Sequence, residues 1–279
     1  MADRKLKTAI QTQGHTRALK DGTVRPKSFD FEFEEVPAII QAFRRMVRGL
    51  EFDISEMAIT TYICAKEHGK KFTALPIFLV RAFHHGAILV NTKQIREPKD
   101  LEGKKIGVNR GYTVTTGVWV RGILQHQYGV DLSKITWVLS GDEHVAEYRA
   151  PANVVPIADG KKMEDMVIAG ELAGAIGVDV KHPDVKPLIS DAAEAGFAAL
   201  KRDGHYPINH TLVVAERFEP WVRDELESMV GAAKAAVAQP APPDGVEANR
   251  RALETLARYA FEQGITSGIL STEELFPPT

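Results

Sequence analysis

The sequence predicts an α/β protein with two tandem α/β blocks, each forming its own sheet, and a helical C-terminal region. Two observations lead to this fold class. Short β-rich runs alternate with helical runs in two series, a pattern typical of parallel strands joined by crossover helices. Beyond a last apolar strand at Thr211–Val214, the apolar residues recur almost wholly at helical spacing.

The first series occupies the N-terminal third of the chain. Alternating apolar residues predict strands at Lys7–Thr12 and Phe29–Glu34. Pro37 opens a helix whose apolar residues repeat at helical spacing as far as Leu50. The series continues with a strand at Phe52–Ala58, a helix at Thr61–His68 and a buried strand at Phe72–Phe78.

The second series and the C-terminal region follow. The series has strands at Lys105–Val108, Ile135–Val138 and Ala173–Val178, with helices at Thr113–Gln127 and Met163–Ala169. After the last strand, a helix starts at Glu219-Pro220, since proline is favoured in the first helical turn. The proline-rich stretch Gln239–Gly245 ends that helix, and a final helix runs from Val246 to Gln263.

Composition narrows the classes of function. The 279 residues carry 35 Lys plus Arg against 37 Asp plus Glu, and this net charge of −2 argues against nucleic acid as a partner. Apolar runs such as Ala74–Val80 are far shorter than the roughly 18–20 residues that cross a bilayer, so no membrane partner is expected. The N-terminus lacks a signal-peptide pattern, and the single cysteine, Cys64, fits a packed thiol in a reducing compartment. We therefore expect a cytoplasmic protein.

Common cofactor motifs are missing from the sequence. Neither GxxxxGK[ST] nor GxGxxG occurs at a strand-to-helix junction, and HExxH is absent. No cofactor is therefore expected, and only a divalent metal at a histidine stays open.

The clearest local signal for a ligand follows the strand at Lys105–Val108. There the segment Gly111–Thr116 opens a helix and contains three threonines, Thr113, Thr115 and Thr116. Their hydroxyls are suited to cap the free N–H groups, and the same N–H groups and the helix dipole would hold a carboxylate or phosphate. Plain N-capping accounts for the threonines equally well.

Two polar clusters lie at predicted strand ends. Arg81, His84 and His85 follow an apolar strand, where a guanidinium would bind carboxylate and a histidine would transfer protons near neutral pH. Exposed surface charge is the alternative for this cluster. Asn209 and His210 precede the last strand, and a histidine satisfied by backbone groups is the alternative there.

Three further candidates have weaker signals. Arg17 follows the first strand, where a side chain would face the carboxyl edge of the sheet, the usual place for ligands in α/β folds. Ser55 and Glu56 lie at the end of the third strand. Glu56 is suited to be a general acid or simply to cap the next helix.

Three segments carry a family resemblance. They are Gly14–Pro26 (GHTRALKDGTVRP), Glu51–Met57 (EFDISEM) and Ile95–Val108 (IREPKDLEGKKIGV). In this order the chain resembles the 4,5-dihydroxyphthalate decarboxylase family, and the match covers most of residues 10–240, including Trp119–Leu124 and Pro207–Thr211.

The resemblance implies a two-lobed fold similar to the type II periplasmic solute-binding proteins. Such a fold has a two-stranded hinge, a ligand cleft and C-terminal helices that pack on the first lobe. The expected first lobe comprises residues 1–90 and 212–279, and the second comprises residues 91–211. The chain would cross near Leu89–Thr92 and return near His210–Val213.

The resemblance also implies an activity in aromatic compound catabolism, namely phthalate degradation. The expected enzyme is a lyase that removes CO2 from a small hydroxylated aromatic carboxylate such as 4,5-dihydroxyphthalate, giving a dihydroxybenzoate. Arg17 or Arg81 would clamp one carboxylate and the Thr113–Thr116 helix start a second. His84, His85 or His210 would donate the proton, with Glu56 in reserve; Ser55 and Asn209 complete the expected substrate site.

The sequence departs from the family after Ala173–Val178. The family usually has an Arg-Pro-Pro-containing loop there, whereas this chain goes directly to Asp179–Pro183. Without this loop the chain could act on a different substrate, or its cleft could bind a ligand without reaction. The second hypothesis is therefore a non-catalytic solute-binding-type protein that captures a small organic anion between two lobes. The histidines, which anion capture does not need, favour an enzyme, and a homo-oligomer stays open.

Overall fold

The computed structural model describes residues 4–237 and 243–277, and this part of the chain forms two compact units. Unit 1 comprises Met1–Arg81, Ile208–Glu254 and Leu270–Thr279. Unit 2 comprises Ala82–Pro207 and Thr255–Ile269. Each unit contains one sheet, which confirms the mixed α/β fold with two sheets that the two alternating series predict.

The elements follow one another in this order. As far as Arg81 they are β1 (Lys5–Ala9), α1 (Arg17–Lys20), β2 (Asp30–Phe33), α2 (Ile39–Gly49), β3 (Ile54–Ala58), α3 (Ile59–Glu67) and β4 (Phe72–Arg81). Next come β5 (Ile88–Asn91), β6 (Lys105–Val108), α4 (Thr115–Tyr128), β7 (Thr136–Leu139), β8 (Val154–Pro156), α5 (Met163–Ala169), β9 (Gly174–Ile176), β10 (Val185–Pro187) and α6 (Ala192–Asp203). The last are β11 (Ile208–Ala215), α7 (Glu219–Ala235), α8 (Val246–Glu262) and α9 (Thr272–Leu275).

The sheet of unit 1 has the order β2-β1-β3-β11-β4. β1 is parallel to β2 and β3, as expected from the crossover pattern, but β11 runs antiparallel to β3 and β4. The apolar face of α7 packs against this sheet, and the two together form a core cluster. The residues of this cluster include Leu6, Ile54, Leu75, Leu212, Val222, Leu226 and Val230.

Strand β4 lies at the edge of this sheet and contains Pro76, a residue that sheets tolerate mainly at edges. The segment before α8 satisfies the exposed backbone of β4. The N–H of Gly245 donates to the Pro76 carbonyl at 2.8 Å, and the N–H of Phe78 donates to the Asp244 carboxylate at 2.8 Å. The helix-breaking stretch predicted at Gln239–Gly245 is described only from residue 243, because residues 239–242 lie outside the described part of the chain.

The sheet of unit 2 has the order β10-β5-β9-β6-β7-β8. β6 is parallel to β7 and β9, and β7 to β8, whereas β5 pairs antiparallel with β9 and β10. Tyr62, on α3 of unit 1, packs against Phe276 near the C-terminus, and Trp137 of β7 is fully buried in unit 2. These aromatic side chains therefore belong to the cores of their units.

The crossing points differ from those expected. The chain passes from unit 1 to unit 2 after Arg81 and returns at Ile208, and these two residues are paired neighbours on β4 and β11. Leu89–Thr92 is not a crossing, because its strand β5 is hydrogen-bonded on both sides within the second sheet. Residues 255–269 also belong to unit 2 and not to the first lobe, since Tyr259 packs against Trp119 of α4.

No helix within the described residues is long and apolar enough to span a bilayer.

Candidate functional site

A buried carboxylate and a histidine form the centre of the candidate site in unit 1. Glu56 of β3 is fully buried, and its Oε1 lies 2.6 Å from Nδ1 of His210 on β11. The other carboxylate oxygen, Oε2, accepts the Gln11 N–H at 2.9 Å. In the antiparallel register, Leu212 faces Glu56, so His210 is the diagonal neighbour on the same side of the sheet. The pair therefore depends on the contact between β3 and β11.

The backbone around His210 is irregular. The pairing of β11 with β4 shifts register between Ile208 and Leu212, and such bulges often redirect a side chain beside an active site. The ring of Phe43 meets the His210 ring edge to face, with centroids 5.1 Å apart. Because Glu56 holds Nδ1 and Phe43 holds the ring, the second nitrogen of His210, Nε2, has a defined direction.

The turn after β1 brings a second histidine near Glu56. Thr16 is fully buried, and its hydroxyl donates to the Gln11 carbonyl at 2.8 Å and accepts the Gln13 N–H at 2.8 Å. This closed turn contains His15. It also presents Arg17 as an exposed side chain at the start of α1.

Charged groups surround His15. Burial lowers the pKa of its imidazole, and the Lys234 ammonium lowers it further, whereas a backbone hydrogen bond with Leu79 and the carboxylates of Glu56 and Asp244 oppose the shift. Lys234 of α7 is almost fully buried, and burial lowers its pKa. Its Nζ donates to Asp244 Oδ1 at 2.5 Å and to the Phe78 carbonyl at 2.8 Å.

The other predicted residues of unit 1 lie around this centre in different roles. Arg81, the last residue of β4, donates to the Asn249 side chain and to the Pro243 carbonyl, so its guanidinium ties the sheet edge to α8. Ser55 is fully buried, and its hydroxyl donates to the Glu56 carbonyl at 2.8 Å. Asn209 is half-buried on β11 beside His210, and their side chains alternate across the strand.

His84 and His85 lie in unit 2, whereas Glu56 and His210 lie in unit 1. Both are buried. The His84 ring stacks with Trp119, with centroids 6.3 Å apart and planes at 7°. Nε2 of His85 is 2.9 Å from Gln127 Oε1, and burial lowers the pKa of this histidine. A cavity of about 20 Å³ beside it, enough for one water molecule, is lined by His85, Gln127 and His205 among others.

The start of α4 binds a carboxylate of the protein itself. Glu143, from the loop after β7, accepts the N–H groups of Tyr112 and Thr113, the latter at 3.2 Å, and the Thr113 hydroxyl at 2.6 Å. The expected threonine N-cap is wrong, because Val114 occupies the N-cap position and no side chain caps the helix. Thr113 and Thr115 are buried and Thr116 is half-buried.

Arg121 is a buried cation that the sequence analysis did not single out. It lies on α4 with no exposed surface, donating to Gln263 Oε1 at 2.8 Å and to the Tyr112 carbonyl at 2.6 Å. Its guanidinium is 3.7 Å from the centroid of the Tyr112 ring, and burial lowers its pKa. Arg121 thus supports the segment that receives Glu143.

Metal ligation has no cluster to support it within residues 4–237 and 243–277, where no group of three or more His, Cys, Asp or Glu side chains could hold an ion. Cys64 is buried, as the packing interpretation predicts.

Two curated relatives match most of the chain. It is 32% identical over 242 residues to a 4,5-dihydroxyphthalate decarboxylase from Comamonas testosteroni, covering 80% of this chain and 72% of that protein. It is 31% identical over 215 residues to a 4,5-dihydroxyphthalate decarboxylase from Pseudomonas putida, covering 70% and 82%. No protein-family model matches.

Solved structures show the same fold at low identity. The periplasmic aliphatic sulphonate binding protein SsuA from Escherichia coli aligns with a TM-score of 0.55 at 13% identity, covering 100% of this chain and 94% of that chain. A ligand-binding component of an ABC-type import system from Staphylococcus aureus, solved with zinc bound, gives 0.54 at 10% identity, covering 99% and 97%. The chain therefore has the periplasmic-binding-protein fold that the family resemblance implies.

Proposed function

Because the chain belongs to the 4,5-dihydroxyphthalate decarboxylase family, we propose that it removes CO2 from a hydroxylated aromatic carboxylate, with 4,5-dihydroxyphthalate as the first candidate. The product would be a dihydroxybenzoate. The observation that carries the mechanism is the pair formed by buried Glu56 and His210, whose side chain is 20% exposed.

Loss of CO2 from an aromatic ring requires a proton at the carbon that carried the carboxylate. In 4,5-dihydroxyphthalate each carboxylate has a hydroxyl group para to it, which feeds electron density to that carbon. A positioned acid then protonates the carbon, and proton transfer of this kind contributes about 10²–10⁴-fold in rate. We assign this role to the imidazolium of His210, acting through Nε2.

Glu56 orients that acid. Its carboxylate accepts Nδ1–H of His210 on one side and the Gln11 N–H on the other, so the ring cannot turn without breaking a hydrogen bond to a buried charge. The same arrangement makes Glu56 itself a positioning residue, since both its oxygens are engaged. We therefore assign it no proton transfer to the substrate.

The carboxylate clamp is best assigned to Arg17. Its side chain is exposed next to the turn that holds His15, whereas the guanidinium of Arg81 already binds Asn249 and the Pro243 carbonyl. A guanidinium fork matches the geometry of a carboxylate. The N–H groups of Tyr112 and Thr113 already hold Glu143, so this step does not use them.

The test measures CO2 release and thermal shift together, using chelator-treated protein and a panel of hydroxylated phthalates and benzoates. The critical variant is His210→Asn, because the asparagine amide keeps a donor for Glu56 and removes Nε2. We expect a loss of about 10²–10⁴-fold in kcat with modest loss of affinity. The matched control is His68→Asn, another half-buried histidine of unit 1, whose Nδ1 is 2.8 Å from the Cys64 carbonyl; it should keep the wild-type rate.

Other outcomes distinguish the alternatives. Wild-type turnover by His210→Asn would refute the assigned acid. Thermal shifts with no CO2 from any ring, before and after divalent ions are added back, would instead favour the non-catalytic protein that captures an organic anion, a function compatible with the fold.

A further inference from the structure

His15 has a ring nitrogen that the proposed mechanism has not used. Its Nε2 is buried and has no hydrogen-bond partner among the described residues. The Leu79 backbone lies close enough to raise the pKa of the imidazole, and because Nε2 has no partner, we place that backbone group at the other nitrogen, Nδ1. With the proton on Nδ1, facing the Leu79 carbonyl, the lone pair of the neutral ring lies on Nε2.

The surroundings keep this histidine neutral and close to the Glu56–His210 pair. Burial and the Lys234 ammonium lower the pKa of His15, with only partial opposition from Glu56 and Asp244. The backbone also links the two histidines, because the turn that contains His15 begins at Gln11, whose N–H donates to Glu56. A neutral imidazole with an unsatisfied acceptor nitrogen can act as a base. His15 belongs to the polar cluster of unit 1, which we define as Glu56, His210, His15, Lys234 and Asp244 and which contains the assigned acid.

We propose that His15 is a second catalytic residue, the base whose Nε2 accepts the proton of the ring hydroxyl para to the departing carboxylate. This inference rests on the proposed decarboxylase function and names the substrate feature that this site recognises, a phenolic hydroxyl. A buried acceptor left without a donor costs stability, and a phenolic O–H would satisfy it. The same contact would reject rings that lack the hydroxyl.

The proton balance closes without a cofactor. The phenolic proton moves to His15 Nε2, and the oxygen electron pair shifts into the ring as the carbon takes a proton from His210. The carbon–carboxylate bond then breaks, CO2 leaves, and the bonding pair restores the aromatic phenolate. His15 returns its proton to the phenolate oxygen, and His210 regains one from solvent, so each turnover consumes one proton and releases one CO2.

The variant His15→Asn tests the inference, because the asparagine amide takes the place of Nδ1 while Nε2 is lost. His68→Asn is the matched control, and circular dichroism with thermal unfolding checks that both are folded; His15→Gln serves if the asparagine variant does not fold. The first measurement is CO2 release from 4,5-dihydroxyphthalate against pH. The second is calorimetric binding of 4-hydroxybenzoate and benzoate, which differ only in the para hydroxyl and require no turnover.

We expect the wild type to bind 4-hydroxybenzoate about tenfold more tightly than benzoate, as one hydrogen bond provides. His15→Asn should lose that preference and about 10²–10⁴-fold in kcat, and should lose the acid limb of the pH–rate profile. That limb lies below the ordinary histidine pKa of about 6.5, because the base must be neutral. His68→Asn should match the wild type in its preference for 4-hydroxybenzoate, in kcat and in the acid limb of the pH–rate profile.

The outcomes separate this inference from the function on which it rests. If the wild type releases CO2 and His15→Asn keeps both the rate and the acid limb, the role of His15 is overturned and the decarboxylase stands. If the wild type releases no CO2, the proposed decarboxylase function is refuted, and the comparison of 4-hydroxybenzoate with benzoate decides whether His15 contacts the para hydroxyl. A para-hydroxyl preference that disappears in His15→Asn then supports the contact, and its absence from the wild type overturns it.

Discussion

Replacing Glu56 by Gln removes one charge from a fully buried position and keeps the size of the side chain. The carboxylate accepts two hydrogen bonds, from the Gln11 N–H at 2.9 Å and from His210 Nδ1 at 2.6 Å. A glutamine has one carbonyl oxygen in place of two equivalent acceptors. Its NH2 group therefore faces one of the two donors, and one hydrogen bond is lost.

The magnitude follows from the nature of that bond. A hydrogen bond to a charged group contributes about 1.5–3 kcal/mol, so we expect the free energy of unfolding to fall by about that amount. The catalytic effect is larger, because His210 loses the partner that fixes its ring and tautomer. A misplaced general acid loses most of its contribution, so kcat should fall by about 10²–10⁴-fold.

The assay is a double-mutant cycle. Urea unfolding and CO2 release are measured for the wild type, Glu56→Gln, His210→Asn and the double variant. Residues that act as one unit are strongly non-additive, so the double variant should be no slower than the slower single variant. If the losses in kcat of the two single variants multiply in the double variant, the proposal that Glu56 and His210 act as one unit is refuted. Glu34→Gln is the control, since Glu34 is partly exposed beside Arg45 and such pairs contribute about 0–1 kcal/mol.

Three further predictions concern unit 2. In Gly122→Ala, the new Cβ would lie 2.1 Å from the Tyr259 ring, so overpacking of about 1–3 kcal/mol should exceed the helix-propensity gain of about 1 kcal/mol. Urea unfolding should show the loss, and an equal loss in a Tyr259→Leu background would contradict it. Burial lowers the pKa of His85, so the unfolded chain binds more protons than the folded chain below about pH 6.5. The free energy of unfolding should therefore decrease as the pH is lowered through this range. His85→Asn should flatten that dependence, and a parallel slope would count against it. Glu143→Ala frees the N–H groups of Tyr112 and Thr113, so calorimetry should show tighter binding of inorganic phosphate; unchanged affinity would disprove the competition.

The predictability of the fold depended on how strongly each segment is patterned. The predicted ranges of β6 and α5 are those observed, because both have clear apolar periodicity between turns. Helix α6, Ala192–Asp203, was missed since it buries only Gly196 and Ala199 and has no apolar stripe. Strands β8 and β10 were missed because each has three residues and ends in proline.

The candidate site was predictable residue by residue but not as a set of contacts. Glu56 and His210 were each recognised as polar groups on apolar strands, yet their hydrogen bond joins residues 154 positions apart and depends on β11 lying beside β3. Glu143 was missed because its loop has no periodicity that would place its carboxylate on the amides before α4. His15 was visible only as part of a family motif, since its signal is a buried nitrogen and not a sequence pattern.

The polar cluster of unit 1 follows one rule of protein interiors, that a buried polar group needs a partner. Glu56 has two donors, and Lys234 has the Asp244 carboxylate and the Phe78 carbonyl. Within the described residues of this cluster, His15 Nε2 departs from the rule. The fold gains no stability from an unsatisfied acceptor, so the arrangement is explained best by a donor that arrives with the substrate. A phenolic ring would provide such a donor together with the carboxylate that we assign to Arg17, and on this proposal the position of His15 favours turnover of a hydroxylated aromatic acid over capture of an arbitrary anion.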